Sequence, residues 1–355
     1  MGRRALLAGG GSGGHVFPGL AVAEALERRG WQVSFAGTAQ GMEARLALSQ
    51  GLEFHSLPAK PLRGRNPIQG LGALATLARS TVSAVGLIRR LGADVVIATG
   101  GYVCVSAGLA ARLCRLPLIL VEPNAEPGLA NRLLGRFASS AAVAWQRTAD
   151  ALPCSTELTG VPVRRSFFEV DRPALGAPWK ILVLGGSQGA QSLNVEVPPV
   201  LHRLVRDGDR ELEVVHQAGS GKEAATESAY MATDVKATVV PFIDNVAEAM
   251  ADCHLVLSRA GAVTLAEICA AGRPSILFPL SLAGGHQGHN AAALHSAGAA
   301  RVVDAMEIDP EKLRLVLLDV LDAQRLEAMS SSASQLARSD AAEAIASLVE
   351  AEVSR

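Results

Sequence analysis

The residue types best suited to chemistry cluster between Leu255 and Glu267, the run LVLSRAGAVTLAE. It reads as a short apolar strand, a turn at 258–261, and a helix from Ala262 to Ala271 that Gly272 and Pro274 stop. A helix that opens on Gly-Ala offers unpaired backbone N–H groups and about half a positive charge to an anion lying over it. Glu267 follows about one and a half turns later, where a carboxylate can accept hydrogen bonds from both hydroxyls of a ribose. Together these features describe a nucleoside diphosphate site. An ordinary strand–turn–helix unit with a solvated Glu267 accounts for the same residues, and the stretch alone leaves both readings open. A second candidate is His15, which follows the glycine-rich run from Gly9 to Gly14. An imidazole with a pKa near 6.5 suits proton abstraction at neutral pH, and the glycines let backbone and substrate approach closely. His15 could equally cap a helix or bind a phosphate. Glu122, at the end of its own apolar strand, is the alternative base.

These groups need elements to hold them. Residues 5–8 form an apolar strand, the glycine run follows, and 18–29 has helical spacing before a second strand at 31–35. Strand, glycine loop, helix and strand make half of a nucleotide-binding α/β unit. Gly9, Gly11 and Gly14 also match the dinucleotide fingerprint, which requires an acidic residue at the end of the second strand. That strand instead runs into Ala36, Gly37 and Thr38, and the first acid is Glu43, so NAD is disfavoured. Strands at 94–98 and 118–121 lead into Thr99, Gly100, Gly101, Tyr102 and into Glu122, Pro123, Asn124. Ligands gather at the carboxyl ends of strands in such sheets, which makes both loops site candidates, although ordinary turn chemistry explains them too. After a proline-containing linker at 160–179, a strand at 180–184 and the loop from Gly185 to Gly189 repeat the N-terminal plan. Further strands are expected at 213–217, 238–242 and 275–278, with helix from 309 to 355. The chain therefore reads as two α/β lobes with a cleft between them. Periodicity does not say on which lobe the last helix packs.

Between 61 and 90, Arg63 and Arg65 precede Pro67, and Ile68, Leu71, Leu74, Val82, Val85 and Ile88 fall near helical spacing before Arg89 and Arg90. Arg79 interrupts the run, so it does not span a membrane. It fits a core-facing helix, or one that also rests on an anionic membrane surface.

At 355 residues two domains are expected, and a net charge of −1 gives no reason to propose nucleic acid. The five cysteines are scattered without a paired motif, which suggests buried thiols in a reducing compartment. His286, His289 and His295 have no carboxylate placed among them to make a zinc site. The N-terminal apolar stretch is too short for a signal peptide, which points to the cytoplasm.

Five runs in order carry a more specific likeness: Gly9–His15 (GGGSGGH), Gly185–Ala190 (GGSQGA), Pro241–Asp244 (PFID), Arg259–Glu267 (RAGAVTLAE) and His286-Gln287. Their types and spacing, covering nearly the whole chain, resemble the MurG family of peptidoglycan glycosyltransferases. The resemblance implies an α/β fold of the GT-B type, with lobes at 1–163 and 164–335 and a C-terminal helix at about 336–355 packing back on the first. It implies inverting transfer of N-acetylglucosamine from UDP-GlcNAc to the 4-hydroxyl of the muramyl sugar of lipid I, without a cofactor or metal. It places donor contacts at Ser12, Gly13, Gly14, Asn124, Arg164, Ser187, Ile243, Ala262, Val263, Thr264, Leu265, Ala266, Glu267 and Gln287. Ile243 would meet uracil through its backbone, Glu267 the ribose, and Gln287 the transferred sugar. Arg63, Arg65, Thr99, Gly100, Gly101 and Tyr102 are expected to face the acceptor or an anionic membrane, with the protein peripheral on its cytoplasmic face. The chain departs from the family pattern at Pro123 and at Gly284-Gly285, where an acidic residue is usual. A non-hydrolysing UDP-GlcNAc epimerase, a dinucleotide-dependent oxidoreductase and a two-lobed sugar-binding protein are the alternatives.

Overall fold

Apolar runs without alternation, such as ALLA at 5–8 and VVIA at 95–98, are buried along their whole length, as strands inside a parallel sheet must be. The computed structural model describes residues 2–59, 67–186, 188–208, 210–280, 286–305 and 308–355, with the backbone alone at 67–71 and 286. It has two compact units, one of Met1–Arg164 with Arg338–Arg355 and the other of Arg165–Ala337.

In the first unit seven strands form one sheet: β1 (Arg4–Ala8), β2 (Gln32–Gly37), β3 (Glu53–Ser56), β4 (Val95–Ala98), β5 (Leu118–Glu122), β6 (Ser140–Val143) and β7 (Ser155–Leu158). Their order is β3-β2-β1-β4-β5-β6-β7, and every pairing is parallel. The helices between them are α1 (Gly13–Arg28), α2 (Met42–Ser49), α3 (Pro67–Leu91), α4 (Tyr102–Cys114), α5 (Leu129–Leu134) and α6 (Gln146–Ala151). The second unit repeats the plan with β8 (Trp179–Leu184), β9 (Leu212–Gln217), β10 (Lys236–Val240), β11 (Leu255–Ser258), β12 (Ser275–Leu277) and β13 (Ala300–Val302). These six parallel strands run in the order β10-β9-β8-β11-β12-β13. Around them lie α7 (Gln191–Arg206), α8 (Glu223–Met231), α9 (Val246–Ala251), α10 (Ala262–Ala270), α11 (His286–Ser296), α12 (Pro310–Val320) and α13 (Ala323–Leu336). A last helix, α14 (Ala341–Val353), belongs to the first unit.

The order in which strands are added reverses once in each sheet, between β1 and β4 and between β8 and β11. A crevice opens outside the strand ends at such a switch point. The loops after β1 and β4 therefore share one crevice, and those after β8 and β11 share the other.

The last helix is held on α1 by both apolar and ionic contacts. Ile345, Ala346 and Val349 enter the cluster formed by Leu20, Leu26 and Trp31. Arg29 reaches Glu343 and Glu350, each at 2.8 Å. The helical region expected over 309–355, with its own final helix, forms three helices: α12 starts at the Asp309 cap, the Asp322 cap separates α12 from α13, and a turn precedes α14. Arg164, expected in the second lobe, closes the first unit, where its guanidinium lies 5.0 Å from the Phe17 ring centre. The helix at 67–91 turns Ala73, Ser80, Ala84, Leu87 and Ile88 inward, while Val82 on the opposite side is 73% exposed.

Candidate active site

The crevice of the first unit is organised by His15. The ring lies in the first turn of α1, not in the loop before it, because the Ser12 carbonyl already accepts helical hydrogen bonds from the N–H groups of His15 at 3.0 Å and Val16 at 3.2 Å. The imidazole Nδ1 is 3.1 Å from the Thr99 carbonyl oxygen. A carbonyl only accepts, so Nδ1 carries the hydrogen and Nε2 keeps its lone pair. Burial pushes the pKa of His15 below its ordinary value, against the opposing pull of the Glu122 charge and the Thr99 carbonyl. The ring is neutral at pH 7 and presents a basic nitrogen.

The glycines around it let two loops meet. A side chain on Gly9 would collide with the Thr99 hydroxyl, and one on Gly10 with the Glu43 carboxylate. Gly100 and Gly101 have φ of +113° and +89°, and a Cβ on either would run into the His15 ring or the Gly10 carbonyl. These four glycines therefore serve loop-to-loop packing, whereas the sequence suggested approach to a substrate. Ser12, Gly13 and Gly14 stay half-buried at the start of α1, whose Ser12 makes no side-chain cap.

Two expected residues take different places. Thr99 is fully buried, so it has no face for an acceptor or a membrane, although Tyr102 beside it is 43% exposed. Glu122 is buried too, and its two oxygens already have four donors. Oε1 accepts from Asn124 N at 3.1 Å and Asn124 Nδ2 at 2.9 Å, and Oε2 from Gly128 N at 2.8 Å and Asn131 Nδ2 at 3.0 Å. A carboxylate so engaged has no lone pair directed at a substrate, which removes it as the general base. It brackets the loop from Pro123 to Gly128, and one Nδ2 hydrogen of Asn124 is used in that bracket. Pro123 fits without loss, since its carbonyl accepts from Trp145 Nε1 at 3.2 Å.

In the second unit, α10 starts on Gly261 with no side-chain cap, so its first N–H groups face the crevice unpaired by a side chain. Ala262, Val263 and Leu265 have buried side chains, which leaves backbone donors as their means of contact. Leu265 has spent its N–H on the Gly261 carbonyl at 3.0 Å. Thr264 and Ala266 are half-buried, and Glu267 is only 6% exposed, so it is not a solvated surface acid. Ile243 is half-buried in the loop between β10 and α9. Gln287 accepts from Leu280 N at 2.9 Å through Oε1 and so joins the two ends of the 281–285 segment. Ser187, Arg63, Arg65, Gly284 and Gly285 lie outside the described residues.

Residues to which the sequence assigned no role of their own brace this crevice. Arg259 donates to Phe278 O at 3.1 Å and Ser192 Oγ at 2.8 Å, tying the turn before α10 to the first turn of α7. Lys222 Nζ lies 2.8 Å from the Gln188 carbonyl and holds the glycine loop after β8. No spacing rule marks them, because each acts across tens of residues. Among the described residues no group of three His, Cys, Asp or Glu side chains could hold a metal.

Two parallel α/β units built on one strand order, with a seventh strand added in the first, make up the two-domain fold of the GT-B class. Residues 5–143 match the N-terminal domain of glycosyltransferase family 28 and residues 180–345 its C-terminal domain, and the chain belongs to that family. It is 42% identical, over 98% of its length and 95% of the relative's, to the UDP-N-acetylglucosamine--N-acetylmuramyl-(pentapeptide) pyrophosphoryl-undecaprenol N-acetylglucosamine transferase of Xylella fastidiosa. The crystal structure of Acinetobacter baumannii MurG matches with a TM-score of 0.77 and 32% identity over 99% of this chain and 100% of that one. A UDP-N-acetylglucosamine 2-epimerase structure matches with a TM-score of 0.72 over 100% of this chain and 98% of that one, but at 15% identity it shares the fold alone.

Proposed function

We propose that the protein transfers N-acetylglucosamine from UDP-N-acetylglucosamine to the 4-hydroxyl of the muramyl sugar in a polyprenyl-diphosphate-linked muramyl pentapeptide, with inversion. The substrate pair rests on the 42% identity across nearly the full chain to an enzyme of that name. The chemistry rests on the neutral His15 and its free Nε2.

The acceptor hydroxyl gives its proton to His15 Nε2 as its oxygen attacks the anomeric carbon. The bond from that carbon to the diphosphate oxygen breaks, and UDP leaves with the electron pair. The start of α10 and Arg164 stabilise the charge that grows on the diphosphate. Glu267 holds the ribose, Ile243 the uracil through its backbone, and Gln287 the sugar. Ser12, Gly13 and Gly14, at the start of α1, are further donor contacts in this reading, and Asn124 lies in the loop that Glu122 brackets. One displacement needs a base and no covalent nucleophile.

A lipid-linked acceptor requires contact with a membrane. Among the described residues no helix is long and apolar enough to cross one. We place the protein peripherally on the cytoplasmic face; contact through the first unit is supported by exposed apolar residues on neighbouring elements: Val82 on α3, Leu113 on α4, and Leu129, Leu133 and Phe137 on and after α5. Arg79, Arg112, Arg132 and Arg136 are interspersed with them.

The test is to incubate the purified protein with labelled UDP-N-acetylglucosamine and a short-chain lipid-linked muramyl pentapeptide. A labelled disaccharide lipid is the expected product. Epimerised UDP-sugar formed without acceptor, and no disaccharide with it, would overturn the proposal in favour of the epimerase.

A further inference from the structure

We infer that Thr99, anchored by Cys104, is the positioning residue that orients His15 for proton abstraction; the inference rests on the reading of His15 as the base. Thr99 ends β4, fully buried, and its N–H pairs with the Ala8 carbonyl of β1 at 3.0 Å. Its remaining polar groups both reach His15, although the hydroxyl also lies 3.3 Å from the Ala8 carbonyl. The carbonyl accepts from His15 Nδ1 at 3.1 Å, and the hydroxyl donates to the His15 main-chain carbonyl at 2.6 Å. His15 is thus held by ring and backbone together, which fixes its side-chain torsions and leaves Nε2 as the only nitrogen able to accept a proton.

This hold works only if the Thr99–Gly100 peptide does not rotate. Its carbonyl end is on His15, and its other end, the Gly100 N–H, donates to Cys104 Sγ at 3.1 Å. Burial pushes the Cys104 pKa up to about 12, so the sulfur keeps its hydrogen and directs it at the carbonyls of Ala8 at 2.8 Å and Gly100 at 2.9 Å. The peptide is therefore pinned at its N–H end by a buried thiol that touches no substrate, which keeps its carbonyl end turned to His15. The positive φ of Gly100 lets the ring lie against that peptide with no Cβ between. Neither residue would be found by a search for exposed polar groups.

Thr99→Val keeps the shape and removes only the hydroxyl, while Thr99→Ser keeps the hydroxyl. We expect Thr99→Val to lower kcat about tenfold or more with the donor KM within about twofold, and Thr99→Ser to restore turnover. In a His15→Ala background Thr99→Val should have less than about a twofold further effect. An equal loss with and without His15, or unchanged kcat, would overturn the inference. If Thr99→Val does not fold, Cys104→Ala and its conservative partner Cys104→Ser give the same comparison. NMR of protein labelled with 15N-histidine reads the geometry without activity: His15 should be protonated on Nδ1 and bare on Nε2, and the reverse tautomer would overturn the inference. A His15→Ala enzyme with wild-type turnover would instead defeat the base reading, while the NMR result still decides whether Thr99 holds the ring.

Discussion

Asn131 Nδ2 donates to Glu122 Oε2 at 3.0 Å from inside α5, so one buried carboxylate joins the end of β5 to the helix that follows. Glu122→Ala would leave four donors without their acceptor. Each orphaned buried donor costs about 1–3 kcal/mol, with relief where water enters. We expect urea denaturation to show a loss of roughly 3–5 kcal/mol, less than four full penalties because water reaches some of the freed donors. Unchanged stability with turnover abolished would restore Glu122 as a candidate base.

His15 sets the acid side of the pH profile. Its pKa is depressed by burial, so the basic form survives to lower pH than a free imidazole would allow. Activity is therefore present above the depressed pKa and lost as pH falls through it. The acid limb of kcat/KM should have its midpoint below 6.5. His15→Ala should cost about 10²–10⁴-fold in kcat with little change in donor affinity. A loss confined to donor binding would make the ring a phosphate ligand.

The parallel sheets were legible in the sequence where strands are buried on both faces, as ALLA, VVIA and LILV are. β3 (EFHS), β7 (STEL) and β13 (ARV) were not, because edge strands pair on one side only and carry no continuous apolar run. β6 is interior but reads SAAV, too small and polar to stand out. In the site, glycine loops and strand-end positions could be read because backbone chemistry is local. The roles of Thr99, Glu122 and Arg259 could not, since their partners lie up to 91, 9 and 67 residues away. Packing of α14 on α1 depended likewise on Arg29 meeting Glu343 and Glu350 across the whole chain.

Glu267 tests the donor half of the site. It lies about one and a half turns into α10, buried, beyond the uncapped helix start. Glu267→Ala should weaken UDP-N-acetylglucosamine binding by about 1.5–3 kcal/mol, the range for hydrogen bonds to a charged group. Calorimetric titration checks this, and unchanged affinity would take Glu267 out of the ribose site.

The apolar surface on α3, α4 and α5 can be probed separately. Leu113 is 67% exposed and Leu129 57%, apolar area for a membrane surface to cover. Leu129→Glu with Leu133→Glu should weaken binding to vesicles containing anionic lipid, and added salt should weaken the wild type, by about 1 kcal/mol for each basic residue engaged. Vesicle binding unchanged by both treatments would place the membrane contact elsewhere.

A buried chain in the second unit makes stability depend on pH. Asn194 Nδ2 donates to Ala218 O at 2.9 Å, which turns its Oδ1 toward His216 Nε2 at 3.0 Å. His216 Nε2 must then be the donor, and Nδ1 accepts from the Tyr230 hydroxyl at 3.0 Å. The ring has no place for a second hydrogen, and burial lowers its pKa from 6.5 to about 4. Below 6.5 the unfolded chain binds a proton that the folded chain refuses, so stability falls as pH drops from 6.5 and levels off below about 4. The full loss is roughly 3 kcal/mol, at about 1.4 kcal/mol for each pH interval of one between the unfolded and folded pKa values. Urea unfolding of the protein and of His216→Gln across that range checks it. We expect a shallower decline in the variant, and parallel declines would show that other groups carry the acid sensitivity.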